Sequence, residues 1–530
     1  MRLVTWLFAG KQIRMCFCRP EKSDITRVAF WAVLAFGLVL WIVFSWVEAP
    51  RQAGGDVFIY KDAGCNLALG RGFYSLGLPG TDDLQPHLFA SNGPAVPFLF
   101  GLFAWLFGCN GYADTFFELL FAAIATLAIA ALMEPAISRQ WKLVCAVMLG
   151  LVLPSGLVVT EPDRPDMPSF AIFVFACLLA RSERKQLSHF VAPVVAGLCA
   201  LFFPFGGAIC GLAVWAIVIS ANEFKIRHQP KHATLVTLKL IGCFLFPIVA
   251  VIIFYQTVDP TAWLRFVGNG FGAQTGVGAV IHNGYIQLFY HAAFSSGLYS
   301  ISLVVSSLVV VVIVCYFTTK QIYHRGEVRD AVLALVMAIC LLSPIVFFPK
   351  QNDYMAWTRS ALLVLLAASQ APLAIEARRC QMTTLLLVLI GAAVLPFVGL
   401  DALIRMQTKA EYEVATGEVA RYAHALLEMK IDKLIAVPSR LYFLYKANLP
   451  QLGDENLIGA EAKPSDTGGI VECGSSGLHR ENERFTEGYL PPVVLFAHAF
   501  IRYTPHLLGY RVTRHEWGWS CDQYIIEQYH

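Results

Sequence analysis

The sequence predicts an α-helical polytopic membrane protein with about 11 spans, a short re-entrant helix and a small C-terminal α/β extracytoplasmic domain. Three observations predict it. Hydrophobic residues make up 57% of the 530-residue chain and charged residues 15%, against roughly 45–50% apolar content in ordinary soluble domains. Apolar runs recur along the chain, and after every second run comes a basic cluster. Beyond Asp401 that pattern stops and mixed helix-like and strand-like stretches take over. The net charge of +3 is dispersed, with no basic run interleaved with aromatics, so a nucleic-acid partner is not expected.

The N-terminal segment, residues 1–27, carries Lys11, Arg14, Arg19, Lys22 and Arg27. The run Val28 to Val47 follows without a small-residue cleavage site, which reads as a signal anchor with a cytoplasmic N-terminus. The next run, Pro94 to Phe107, is short for about 30 Å of hydrocarbon and is bounded by Pro94, Pro97 and Gly108, so a re-entrant helix is expected. Tyr112 to Met133 then crosses to Arg139 and Lys142, Leu143 to Thr160 crosses outward, and Met167 to Leu179 returns to Arg181, Arg184 and Lys185.

The run Phe190 to Ile219 is too long for one crossing and is broken at Pro204 and Gly206-Gly207, which predicts two helices. Leu235 to Tyr255, Leu298 to Phe317, Ala331 to Phe348, Ser360 to Ile375 and Met382 to Leu400 complete the spans. The transmembrane domain is therefore residues 28–401, with polar extracytoplasmic loops at 48–93, 161–166, 256–297 and 349–357. Residues 402–530 form the extracytoplasmic C-terminal domain, with strand-like Ile435 to Pro438 and Gly469 to Cys473. The expected location is a bacterial inner membrane, with the C-terminus outside.

The polar loops hold the candidate chemistry, each with a plainer alternative. Asp56 opens a helical pattern, Val57 to Leu69, that Gly70 could end. It suits either an N-cap or a carboxylate that takes a proton from a hydroxyl at the membrane surface, beside Tyr60, Lys61 and Asp62. Glu161 to Asp166, EPDRPD, is either a solvated turn with a helix N-cap at Asp166 or the lining of a polar site. In that site Asp163 and Asp166 would face a sugar or a divalent cation, and Arg164 would grip a phosphate. Lys350 is either a snorkelling cation or a lipid-phosphate contact. Tyr354 lies beside it, and His282 lies in a Gly-rich loop whose glycines do not follow the strand-to-helix order of a nucleotide-binding loop.

Most of the fourteen cysteines lie in apolar runs where Cys is a small hydrophobe. Cys16 and Cys18 have no second ligand pair nearby, so no metal site is assigned. Cys473 and Cys521, alone in the polar C-terminal region, are the one expected disulfide, given an oxidising compartment.

Taken together, GGDVFIYKDAGCNLALGRGFYS, the proline-bearing NGPAVPFLFGLFAWLFG, the turn Arg164 to Asp166, the split around FFPFGG and the late Lys350 to Tyr354 segment resemble the GT-C glycosyltransferases. These integral membrane enzymes use polyprenyl-phosphate sugars; aminoarabinose and protein-mannosyl transferases are familiar members. The resemblance spans the layout of about the first four hundred residues, and it is specific at Asp56, Gly70, Tyr74, Pro94, Pro97 and Asp166. One departure is that Val57 follows Asp56 where many relatives have Glu.

The resemblance implies a polyprenyl-phosphate sugar donor, a lipid, glycan or protein acceptor, and membrane lipid around the spans. It implies Asp56 as general base with inversion, with Arg164, Lys350 or a cation offsetting charge on the departing phosphate. Together with the loop residues read above, the candidate substrate contacts are Tyr60, Lys61, Tyr74, Asp163, Arg164, Asp166, His282, Lys350 and Tyr354. A divalent cation is admitted and no other cofactor is called for. A transporter or lipid flippase is the alternative, although its ionisable residues would be expected in the spans rather than the loops.

Overall fold

The computed structural model describes residues 23–47, 57–75, 87–89, 93–137, 142–152 and 165–262, and further along 332, 335, 336, 339, 417, 434–437, 442–446, 452–454, 467–473 and 524–527. Asp56, Asp163, Arg164, His282, Lys350, Tyr354, Cys521 and the expected spans after Tyr255, except for isolated positions, lie outside the described residues.

Helix α1 is Ser23–Val47. The opening loop contains α2, Val57–Tyr60, and α3, Asp62–Ala68. Strands β1, Tyr74–Ser75, and β2, His87–Leu88, follow as an antiparallel pair. Helix α4, Ala95–Phe107, has 13 residues, about 20 Å at 1.5 Å per residue, well short of a bilayer core.

Helix α5, Gly111–Met133, starts because the Asn110 side chain accepts the Ala113 backbone N–H at 2.9 Å, which satisfies a donor that the first turn leaves open. Pro135 ends it in a single 3₁₀ turn. Helix α6, Lys142–Val147, runs on into a π-helical turn over Met148–Val152.

Helix α7 is Asp166–Ala180 and α8 is Ala192–Phe202, the latter preceded by a π-helical turn. Helix α9, Pro204–Ala221, begins where Phe203 is extended, and Pro204 takes its first position, where its missing N–H costs nothing. The expected split of this run thus falls at Phe203. Helices α10, Glu223–His228, and α11, Pro230–Val258, follow. Among the described residues, four helices are long and apolar enough to cross a membrane: α1, α5, α9 and α11.

Contacts fix the helix directions. The Arg181 guanidinium, just past α7, donates to the Leu132 carbonyl near the end of α5 at 2.8 Å. The two helices therefore run the same way. Ser169 of α7 meets Cys199 of α8 at 3.3 Å, and Asn222 after α9 approaches His189 before α8 at 3.5 Å, so α8 and α9 form a hairpin. Trp215 of α9 donates to Thr237 in the first part of α11 at 3.2 Å.

One end of the bundle, the basic end, thus collects Arg181, Arg184, Lys185, Lys225 and Lys231. Burial pushes the Arg181 guanidinium down to about 10, so it remains a cation at neutral pH. Glu134 there is clamped by Lys142 and by Arg27, whose Nε lies at 3.6 Å.

Strands β3, Leu434–Val437, β4, Leu452–Asp454, β5, Thr467–Cys473, and β6, Tyr524–Glu527, form one sheet in the order β4-β3-β5-β6. Its first three strands pair in parallel and the last is antiparallel. The strand-like stretches at Ile435 and Gly469 fall on β3 and β5, paired with each other. Helix α12, Tyr442–Lys446, lies in the connection from β3 to β4, as a parallel crossover requires.

Candidate active site

The opposite end of the bundle, the loop end, is built around α2 and α3. Backbone bonds from Lys61 N–H to the Val57 carbonyl and from Cys65 N–H to the Lys61 carbonyl, both 2.9 Å, make the two helices nearly continuous. The unit ends as its sequence suggests. Gly70 has φ +74°, its N–H reaches the Leu67 carbonyl at 3.0 Å, and the Arg71 N–H reaches the Asn66 carbonyl at 2.8 Å. This is a Schellman closure, which a side chain at Gly70 would strain.

Two buried ionic clusters hold this unit. Lys61 is fully enclosed: its Nζ lies 2.7 Å from Asp114 and 3.2 Å from Glu118 of α5. It also lies 4.8 Å and 4.5 Å from the ring centroids of Phe100 and Phe117. Asp114 and Glu118 are one helical turn apart, so both point from one face of α5 at the same ammonium. Expected from sequence as a substrate contact, Lys61 is instead committed to joining α2–α3 to α5. Tyr60 beside it is buried in the apolar core.

Asp62, also fully buried, accepts from Tyr442 Oη at 2.7 Å and Lys446 Nζ at 2.7 Å, both on α12. Asn66 Nδ2 donates to its other oxygen at 3.1 Å, and Ser75 Oγ at 3.4 Å. Asn66 in turn accepts from Lys446 at 2.9 Å and donates to the Tyr74 carbonyl at 2.8 Å. Phe58 packs edge-on against Tyr442, centroids 4.9 Å apart. A segment from the C-terminal sheet is thereby built into the opening loop.

On its other side α3 lies against α4. A Cβ added to Gly64 would come within 2.5 Å of the Pro97 carbonyl oxygen, so the helices approach with nothing between their backbones. Cys65 and Cys109 are disulfide-bonded across this contact. A pair in the C-terminal region, Cys473 with Cys521, was the one disulfide expected; the opening loop carries a different one. Both bonded cysteines are buried but lie outside the apolar runs in sequence, Cys65 in the opening loop and Cys109 just past Phe107, which was the available signal. Cys473 is on β5, and its bonding lies outside the described side chains.

Asp166 belongs to the same end. It opens α7, parallel to α5, about 22 Å from the basic end by helix rise. It is buried, at 6% exposure, in a first turn whose dipole favours a carboxylate. The helix cap falls on Pro165; Asp166 lies inside the first turn. The α8–α9 break adjoins it, and Gly93 rests on the backbone of Leu201 and Phe202. At the far end of α11, Tyr255 Oη donates to the Phe89 carbonyl at 2.7 Å. Tyr74, on β1, is 42% exposed, the most accessible of the described sequence-predicted contacts.

The loop end therefore brings together the unit that follows Asp56, Tyr74, Asp166, the Phe203 break and α12. Asp62 was visible in the sequence only as a neighbour of Asp56, and Asp114, Glu118, Tyr442 and Lys446 were not expected at all. The acidic pair at the start of an otherwise apolar span was a legible signal. Nothing near Tyr442 marks it as a partner of a residue 380 positions earlier.

No protein-family model and no curated protein matches the chain. Among solved structures it is similar to ArnT from Cupriavidus metallidurans bound to undecaprenyl phosphate, with 15% identity and a TM-score of 0.48 over 82% of this chain and 88% of that one. It is likewise similar to the apo state of the same protein, with 15% identity and a TM-score of 0.47 over 84% and 89%.

Proposed function

We propose that the chain transfers a sugar from a polyprenyl-phosphate donor to a lipid, glycan or protein acceptor at the loop end, on the extracytoplasmic face. The observation that carries this reading is the gathering of Asp166, Tyr74 and the unit following Asp56 at one end of an apolar bundle, that unit being anchored by two buried ionic clusters. Catalysis needs its groups held in place, and rigidly packed helices supply that better than a free loop. The bond between Cys65 and Cys109 supports an oxidising side for this end.

In the proposed reaction Asp56 takes the proton from an acceptor hydroxyl or amine as that atom attacks the anomeric carbon. The bond from that carbon to the phosphate oxygen breaks, and its electron pair leaves with the polyprenyl phosphate. This inverts the anomeric centre. The phosphate departs as a stable anion, so no strong general acid is required. Arg164 and Lys350 would offset its growing charge, while Tyr74, Asp163, Asp166, His282 and Tyr354 contact the sugar and acceptor.

The test uses membranes carrying wild-type or Asp56→Asn protein, supplied with labelled polyprenyl-phosphate sugars. Wild type is expected to move label to acceptor, and the variant to be slower by about 10²-fold or more, the usual scale for a general base. Equal transfer by both would remove Asp56 from this role. Movement of labelled lipid across the membrane with the sugar-phosphate bond intact would favour the flippase.

A further inference from the structure

The C-terminal region reaches the opening loop at a place where its side chains do specific work. Tyr442 is 0% exposed and Lys446 2%, and both end on one oxygen of Asp62 at 2.7 Å. Asp62 stands six positions after Asp56 and next to Lys61, whose own ion pairs fix it to α5. The α2–α3 unit is therefore held from two sides, by α5 through Lys61 and by α12 through Asp62. An apolar contact of equal volume could supply adhesion as well, but it would not fix direction as converging charged hydrogen bonds do.

We propose that Lys446 and Tyr442 are positioning residues for the transfer reaction, acting through Asp62 on the helical unit that follows the catalytic carboxylate. This rests on the proposed function and assigns that site a component from the C-terminal segment. Neither side chain touches substrate in this scheme. Their effect is on the fraction of time that α2 is aligned, so it falls on turnover more than on donor binding.

The experiment uses full-length protein in lipid, as wild type, Lys446→Met, Tyr442→Phe, Asp62→Asn and the Asp62→Asn/Lys446→Met double variant. Transfer kinetics are normalised to the folded fraction, and hydrogen exchange is followed over residues 57–75. Expected is a kcat lowered about tenfold in Lys446→Met and less in Tyr442→Phe, with donor KM within about twofold. The double variant should be no slower than the slower single variant, because both changes remove one connection.

Exchange over 57–75 should quicken in Lys446→Met while α7 to α9 stay protected. Unchanged kcat in Lys446→Met, or a loss that disappears on normalisation, would overturn the proposal. Should wild type transfer no sugar, the function assignment fails on its own. The exchange arm then decides the α12 connection, unchanged exchange over 57–75 ruling it out and quicker exchange supporting it.

Discussion

Lys61 shows how much a single side chain is asked to do. Its ammonium has left water entirely and is repaid by two carboxylates and two aromatic faces. Taking away one partner of such a cluster strands the others, and the usual loss is about 3–5 kcal/mol. Lys61→Met is therefore expected to lower the stability of the purified protein by that order, read from denaturant or thermal melts. A loss below about 1 kcal/mol would mean that water reaches Asp114 and Glu118. The sequence displayed Lys61 as a lone cation in a loop, and its location near the membrane surface made a ligand contact attractive. Its partners lie in the next long span, more than fifty positions away, and pairing at that distance leaves no local pattern. Gly70, by contrast, was readable, because a helix stop depends on its own few residues.

At the scale of elements, α3 and α4 depend on contact without side chains at Gly64. Gly64→Ala would push a methyl group against the backbone of Pro97, which cannot swing away, and the expected cost is about 1–3 kcal/mol, measured by melting in detergent or lipid. The Cys65–Cys109 bond closes a chain separation of 44, for which the chain-entropy treatment gives about 4 kcal/mol. Unreduced peptide mapping should recover the two cysteines as one cross-linked fragment. Two free thiols there would mean that this end faces a reducing compartment. Helix limits were legible where proline and glycine punctuate them, as at Pro204 and Gly70; Asn110 and Pro230 also open helices, ahead of the starts expected at Tyr112 and Leu235. The closeness of α3 to α4 was not legible, since small residues also occur where nothing packs.

For the whole molecule, alternation of apolar runs with basic clusters anticipated two chemically distinct ends, and the described helices have them. Arg27, Lys142, Arg181 and Lys231 mark one; the opening unit, Asp166 and the Phe203 break mark the other. Such patterning is visible in sequence because it acts through composition. Attachment of α12 to the first loop was invisible, because the same residues could have served an independently folded appendage. A chain shortened before β3 is expected to insert its first helices yet show faster exchange over residues 57–75 than the full-length protein.

The pairing of Asp62 with Lys446 also sets a clock on biogenesis. With 384 positions between them and synthesis at roughly 5–20 residues per second, the carboxylate emerges on the order of 20–80 s before its cation exists. Throughout that interval the nascent chain must keep a charged group hydrated at the lipid boundary or in the care of a chaperone. Pulse-labelled ribosome-bound chains should therefore stay protease-sensitive at residues 57–75 until Lys446 has been made and inserted.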